Sequence, residues 1–209
     1  MIAGGIGIDF DNTIACYDHV FAPAAIEMGL VPAGFAGDKR AVRRAIQDSP
    51  AGDAGWMGLQ GQVYGRLMER ARLFEGVLDF LALCRREGVP VAVISHKTEY
   101  GHFDPYRVNL REAALLWMDG AGLFDTPHTG LSPDRVLFEA TRFGKIARIA
   151  ASGCRRFVDD LPELFTDPAF PPGVERHLLA PEGSTAAGPF HRHASWNAIA
   201  HAVFSQHRG

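Results

Sequence analysis

Short apolar runs that end in polar residues recur along the chain. Ile6, Ile8 and Phe10 are strand formers that precede Asn12, and residues 91–94 form a continuous apolar run followed by polar side chains. Ile, Val and Phe fit a pleated, buried surface, whereas Asn and Asp favour turns, so each run is typical of a buried strand. The sequence predicts five such strands, over residues 6–10, 91–94, 136–138, 156–158 and 174–180.

Segments with helical periodicity lie between these runs. Apolar residues recur at helical spacing over residues 18–28, 38–46, 56–71, 73–87, 109–119, 144–152 and 196–204. The alternation predicts an α/β fold, a doubly wound parallel sheet with right-handed crossovers. Residues 15–73 contain helical patterns and no convincing strand, so we expect a small helical insertion there. The α/β core domain then consists of residues 1–14 and 74–209.

The composition excludes several classes of protein. Of the 209 residues 47% are hydrophobic and the net charge is −3, which fits one domain with a modest insertion and no basic surface for a nucleic-acid polymer. No apolar run reaches the length of a membrane span. Met1 leads directly into a strand pattern without a signal peptide, and the three cysteines lack metal or redox spacing. We therefore expect a cytoplasmic protein with reduced thiols.

Three of the predicted strands end in chemically reactive groups. Asp9 and Asp11 follow the first, Ser95 follows the second, and Asp159 with Asp160 follows another. A lone Asp-Phe-Asp-Asn-Thr segment suits a strand end and turn equally well, but the carboxyl ends of parallel strands converge on one edge of a sheet. Carboxylates gathered there suit a hard cation with oxygen ligands, best Mg²⁺. The set predicts metal-assisted phosphoryl transfer.

These motifs resemble those of the haloacid dehalogenase (HAD) superfamily of phosphohydrolases. The family carries D-x-D-x-T after its first strand, Ser or Thr after a second strand, and a Lys upstream of an acidic strand end. The corresponding residues here are 9–13, Ser95, Lys145 and 159–160, in the family's order. The resemblance implies a Rossmann-like core, a Mg²⁺ cofactor and an aspartyl-phosphate intermediate. It also implies that the insertion 15–73 is a small helical cap.

The resemblance implies a role for each acid. Asp9 would be the nucleophile and a Mg²⁺ ligand, and Asp11 the general acid/base, with its backbone carbonyl reaching the metal. Asp159 and Asp160 would complete the metal site, with Asp159 the more direct ligand of the two. The acid at position 11 favours phosphate chemistry, because dehalogenases of this fold lack it.

The resemblance also implies a set of phosphate-binding residues. Ser95 would bind the transferred phosphoryl group, Thr13 would support the loop, and Lys145 would pair with Asp9 and the phosphate. Lys97, two residues after Ser95, is the alternative lysine for that role. His96 and Lys97 together would suit a substrate with a second anionic group.

The predicted function is a Mg²⁺-dependent phosphatase acting on a small phosphomonoester, such as a sugar, polyol or nucleotide phosphate. A phosphomutase or phosphotransferase would use the same residues, and a non-catalytic protein that binds a phosphorylated ligand is a third possibility. We expect a small phosphorylated metabolite as the partner, no nucleic-acid polymer and no membrane. Monomer and homodimer are both compatible with the sequence.

Overall fold

The computed structural model describes residues 1–180 and 184–205. Its strands, in chain order, are β1 (Ile6–Ile8), β2 (Ala15–Cys16), β3 (Arg72–Leu73), β4 (Val91–His96), β5 (Val136–Glu139), β6 (Arg156–Asp159), β7 (Glu175–Leu179) and β8 (His191–His193). Its helices are α1 (Asp18–Glu27), α2 (Lys39–Gln47), α3 (Gly52–Tyr64), α4 (Val77–Arg86), α5 (Leu110–Gly120), α6 (Thr126–Thr129), α7 (Arg142–Ser152), α8 (Pro162–Phe165) and α9 (Trp196–Phe204). Met68–Arg70 and Pro133–Arg135 form 3₁₀ turns.

A six-stranded parallel sheet, in the order β5-β4-β1-β6-β7-β8, forms the centre of the fold. β1 lies between β4 and β6, with Ile8 opposite Val93 on one side and Val158 on the other. The chain adds β4 and β5 on one side of β1 and then β6 to β8 on the other, so the strand order reverses at β1. Ligands bind beyond the carboxyl ends of the strands at such a switch point. The predicted doubly wound α/β fold is confirmed.

Apolar residues bury both faces of this sheet. Ile6, Ile8 and Phe10 are fully buried around β1. Ile146 and Ile149 of α7 pack in one cluster with apolar residues of β4, β6 and β7 and with the segment after β6. Because β1 is buried on both faces and paired on both edges, its end gives a rigid base for the residues that follow it.

The chain forms two compact units. The first consists of Met1–Ala15, Leu73–Lys97 and the described residues from Ala121 onward, and it contains the six-stranded sheet. The second consists of Cys16–Arg72 and Thr98–Gly120 and contains α1, α2, α3 and α5. We call them the sheet unit and the helical unit.

The helical unit includes a segment that the sequence assigned to the core domain. Residues 98–120 belong with Cys16–Arg72, because backbone packing joins the loop before α5 to α3. A Cβ built on Gly101 would lie only 2.5 Å from the Cα of Gly61, so the two backbones are in direct contact. The Trp117 indole also donates a hydrogen bond of 3.3 Å to the carbonyl of Ala71.

Several element boundaries differ from the predicted ones in this unit. The helix predicted over residues 56–71 is shorter, since α3 runs from Gly52 to Tyr64 and ends at Gly65, whose φ of −112° and ψ of −100° are not helical. The helix predicted over residues 38–46 is present as α2, and Oδ1 of Asp38 caps it by accepting a hydrogen bond of 2.8 Å from the Ala41 amide. α3 has 13 residues, and no helix in the described part of the chain is long and apolar enough to cross a membrane.

Short or polar elements escaped the sequence pattern. β8 has the polar sequence His-Arg-His and is not among the predicted strands, yet His193 is only 9% exposed and β8 pairs with β7. The two-residue strands β2 and β3 pair with each other at the two ends of the predicted helical insertion. Neither is long enough to show a period of two along the sequence.

Candidate active site

The loop after β1 begins the site. Asp9 follows the strand directly, and its backbone amide donates to the carbonyl of Val158 on β6 at 2.9 Å, which fixes its position. The amides of Ile14 and Ala15 both donate to the carbonyl of Phe10, at 2.9 and 3.0 Å, and so close a tight turn. Asn12 has a φ of +58°, in the left-handed region that Asn tolerates better than most residues. This turn places Asp9 and Asp11 together at the carboxyl end of β1.

Lys145 connects the acids of β1 and β6. Its Nζ donates to Oδ1 of Asp9 at 2.6 Å and to Oδ2 of Asp159 at 2.5 Å. Lys145 lies on α7, whose N-terminus is capped by the hydroxyl of Thr141, and only 2% of the residue is exposed. Burial alone would lower the pKa of Lys145, but the charges of Asp159 and Asp9 outweigh it and hold the pKa above its usual value. Lys145 is therefore a buried ammonium at the centre of the site, not a solvated surface charge.

Lys97 contacts a different acid. Its Nζ lies 3.1 Å from Oδ1 and 2.9 Å from Oδ2 of Asp11, and the residue is 3% exposed. The ammonium also lies 5.4 Å from the centroid of the Phe10 ring. Of the two lysines considered for pairing with Asp9, the structure places Lys145 there and Lys97 on Asp11.

Three carboxylates could hold a cation together. Oxygen atoms of Asp9, Asp159 and Asp160 lie within 4.8 Å of one another. Burial raises the pKa of Asp9 to about 7, and the charges of Asp159 and Asp11 add to this effect while Lys145 opposes it. With Asp11 the site contains four acids, whereas Lys145 and Lys97 supply two ammonium groups. The donor set and the excess of negative charge fit a divalent cation with oxygen ligands, of which Mg²⁺ is the common choice beside a phosphate.

The predicted phosphate-binding residues lie in the same unit but differ in their surroundings. Ser95 is buried near the end of β4, and Thr13 is fully buried with no hydrogen-bond partner for its Oγ1 among the described residues. His96 is exposed, and its Nε2 lies 3.1 Å from the carbonyl of Ala140, so Nε2 carries the hydrogen. Burial of the ring lowers the pKa of His96, the bond to Ala140 opposes this effect, and the charges of Lys145 and Arg142 add to it. The lowered pKa works against the pairing of a cationic His96 with Lys97 that would suit a second anionic group.

The sequence did not show that Lys97 pairs with Asp11. The partners are 86 positions apart, and their contact depends on the register between β1 and β4. The only signal was spacing: Lys97 lies two residues after Ser95, so in an extended strand both side chains lie on the same face of the sheet. That spacing indicated that Lys97 points toward the site but not which acid it meets.

The sheet and these residues define an α/β protein with an acidic, lysine-containing site at the carboxyl edge of a parallel sheet. Solved structures with the same fold include the HAD-hydrolase YfnB of Bacillus subtilis bound to magnesium, with a TM-score of 0.64, 11% identity, and coverage of 98% of this chain and 100% of that one. A predicted phosphoglycolate phosphatase of Haemophilus somnus has a TM-score of 0.57 and 14% identity, with coverage of 97% and 99%.

The same fold also occurs in a protein with a different name. Protein Tyrosine Kinase A of Mycobacterium tuberculosis has a TM-score of 0.61 and 16% identity, with coverage of 97% of this chain and 98% of that one. No family model and no curated protein matches the sequence. The chain therefore has the fold of the HAD hydrolases, as its motifs predicted, and its chemistry has to be argued from its own residues.

Proposed function

We propose that the protein is a Mg²⁺-dependent hydrolase of small phosphomonoesters. The proposal rests on the buried pairing of Asp9 with Lys145, in contact with Asp159 and beside Asp160. The Asp9 carboxylate is fixed at a strand end, paired with an ammonium, and close to two other acids that could bind a cation with it. Such a carboxylate suits nucleophilic attack on a phosphoryl group. The HAD hydrolases among the structures of similar fold support the same conclusion.

Two half-reactions follow from the positions of the acids. In the first, an Asp9 oxygen attacks phosphorus, the ester P–O bond breaks, and the leaving oxygen takes a proton from Asp11. In the second, Asp11 removes a proton from water as the water oxygen attacks phosphorus. The bond between phosphorus and the Asp9 oxygen breaks, which releases inorganic phosphate and regenerates the Asp9 carboxylate. Lys145 bonds Oδ1 of Asp9 and so holds the nucleophile in place through both steps.

Asp9, Asp159 and Asp160 would hold the Mg²⁺, which supplies positive charge to the oxygens of the phosphoryl group. Lys145 adds a fixed cation beside the nucleophile, and the Ser95 hydroxyl is the candidate donor to a phosphoryl oxygen. Asp9 is 4% exposed and Asp159 fully buried, so bulk water has little access to the nucleophile before substrate binds.

The helical unit is the candidate cap, with the role of selecting the substrate. A sugar, polyol or nucleotide phosphate is the expected class, and the cytoplasm the expected compartment. A phosphomutase or phosphotransferase would share the first half-reaction and pass the phosphoryl group to a hydroxyl instead of water. The kinase name of one protein of this fold keeps that alternative open.

Phosphate release from p-nitrophenyl phosphate and from a panel of sugar, polyol and nucleotide phosphates tests the proposal. We expect turnover with Mg²⁺, none with a chelator, and a loss of at least about a thousandfold in kcat for Asp9→Asn. Asp79→Asn, at an exposed acid of α4, is the matched control and should retain full activity. Turnover that survives in Asp9→Asn would exclude this mechanism, and a phosphorylated product without free phosphate would identify a mutase or phosphotransferase.

A further inference from the structure

The partly buried pair of Lys97 and Asp11 has a geometry that constrains both partners. Both carboxylate oxygens of Asp11 lie within 3.1 Å of the Lys97 ammonium. At the other end of the lysine, its backbone amide donates to the carbonyl of Glu139 on β5 at 2.8 Å. The side chain is buried along its length and is thus held at its root by the sheet and at its tip by Asp11.

The two buried lysines of the site have separate partners. Lys145 bonds Asp9 and Asp159, the residues of the proposed nucleophile and metal site, whereas Lys97 bonds the acid proposed to move protons. Asp11 lies on a turn and not in a strand, and 18% of its side chain is exposed. The contact with Lys97 comes from outside this turn and reaches both oxygens of the Asp11 carboxyl group.

We propose that Lys97 is a positioning residue for Asp11, and that it holds this carboxyl group where it faces the leaving oxygen of the ester. The inference rests on the proposed function. Proton transfer requires the donor within hydrogen-bond reach of the oxygen that leaves, and a displacement of about 1 Å can cost a hundredfold in rate. The charge-assisted contact to both oxygens holds the ionised carboxylate more firmly than a single neutral hydrogen bond would. When Asp11 carries a proton, Lys97 can still donate to the unprotonated oxygen, and the protonated oxygen donates to the leaving group.

If Lys97 positions Asp11, its loss should affect the rate differently for different leaving groups. If Lys97 binds the phosphate, its loss should affect the rate equally for all of them. A phenol that is a poor leaving group needs a proton as the P–O bond breaks, whereas p-nitrophenol leaves readily as its anion. Loss of a correctly placed acid therefore slows phenyl phosphate far more than p-nitrophenyl phosphate. Loss of a phosphate ligand slows both alike, because both esters carry the same phosphoryl group.

The experiment compares kcat/KM for phenyl phosphate and p-nitrophenyl phosphate in Lys97→Met, Asp11→Ala and the double variant. We expect Lys97→Met to lose roughly ten- to a hundredfold on phenyl phosphate and less than about threefold on p-nitrophenyl phosphate. Asp11→Ala should show the same pattern, and the double variant no further loss, since one function is removed twice. Lys145→Met is the comparator and should lower kcat/KM to a similar extent for both esters.

Other results would overturn the inference. Equal losses on both esters in Lys97→Met would make Lys97 a phosphate ligand, and additive losses in the double variant would separate it from Asp11. Lys97→Arg keeps the charge but displaces the contact, so it should show the selective loss even if the Met variant does not fold. Failure of the wild-type protein to release phosphate from either ester would instead overturn the proposed function itself, and this inference with it.

Discussion

The indole Nε1 of Trp196 donates a hydrogen bond of 3.0 Å to the backbone carbonyl of Thr13, 183 positions earlier in the chain. Trp196 is the first residue of α9, whose N-terminus is capped by the hydroxyl of Ser195. Its ring packs against Phe80 with centroids 4.9 Å apart. The hydrogen bond from α9 thus holds the turn that carries Asp11.

Trp196→Phe keeps most of the ring and removes the donor. A buried carbonyl without its partner costs about 1–3 kcal/mol, and the turn loses a restraint beside Asp11. We expect a lower midpoint in urea denaturation and a lower kcat. Trp117→Phe, which removes an indole bond to Ala71 in the helical unit, is the control. It should be destabilised as well but keep kcat for p-nitrophenyl phosphate within about twofold, and an equal loss of kcat in both variants would contradict the role of Trp196.

Asp159 and Asp160 should differ in what their loss affects. Asp159 is fully buried, with one oxygen bonded to Lys145 and the other accepting from the Leu161 amide at 2.9 Å. Asp159→Asn therefore breaks a buried ion pair and is expected to lower the free energy of unfolding by about 3 kcal/mol, besides weakening Mg²⁺ binding. Asp160→Asn, at a partly exposed position, should weaken Mg²⁺ binding roughly tenfold with little change in stability.

Calorimetric titration with Mg²⁺ and urea denaturation in chelator measure the two effects separately. Equal destabilisation by both substitutions would contradict the distinction. Unchanged Mg²⁺ affinity in both variants would remove Asp159 and Asp160 from the metal site.

Gly101 and Gly61 make a second testable contact. A Cβ on Gly101 would lie 2.5 Å from the Cα of Gly61, a distance that requires the backbone to move. Gly101→Ala should therefore destabilise the protein by about 1–3 kcal/mol. Gly120→Ala, at the end of α5 with nothing within 4 Å of the new methyl group, is the matched control. Thermal unfolding should show a lower midpoint for the first variant and an unchanged or higher one for the second, because Ala is the better helix former.

His177 should make stability depend on pH. Burial lowers its pKa to about 4, with Glu175 opposing and the nearby His193, His191 and Arg156 adding to the effect. Its Nδ1 lies 3.0 Å from Nε2 of His193, a hydrogen bond that needs one neutral ring. Below the unfolded pKa of 6.5 the unfolded chain takes up a proton that the folded one resists, so this contribution to stability falls as the pH drops from 6.5 toward 4.

The expected loss from His177 is about 2 kcal/mol between pH 7 and pH 5. Urea denaturation of the wild type and of His177→Gln at both pH values measures the contribution of His177 together with that of its hydrogen bond to His193. The variant should show a smaller loss on acidification. His128→Gln, at an exposed residue of α6, is the control and should follow the wild type. A His177 variant with the same pH dependence as the wild type would contradict the assignment.

The sequence predicted those features that depend on local pattern. The continuous run 91–94 and the strand formers around Asp9 identify the central strands, and the helical spacing over residues 196–204 identifies α9, whose bounds match the prediction. The sequence did not predict contacts that depend on the register between strands. Lys145 is one lysine on an amphipathic helix, and only the pairing of β1 with β6 brings Asp9 and Asp159 to the same ammonium.

The sequence also did not predict which residues belong to the helical unit. Residues 109–119 have an ordinary helical pattern, and nothing local shows that the loop before α5 lies against the glycines of α3. The polar strand β8 was missed because strand prediction relies on apolar residues, whereas its buried His193 is stabilised by the His177 ring. The roles of the individual site residues stay predictions until the variants are measured.

The central position of β1 has a consequence for how the protein loses its shape. Its backbone is bonded to β4 on one side and β6 on the other, while β5 and β8 form the edges of the sheet. Local opening begins at edges and loops, and amides of a central strand exchange with solvent only when the whole sheet opens. The strand that carries Asp9 is therefore among the last parts of the sheet to open, and fraying at its edges leaves that strand in place.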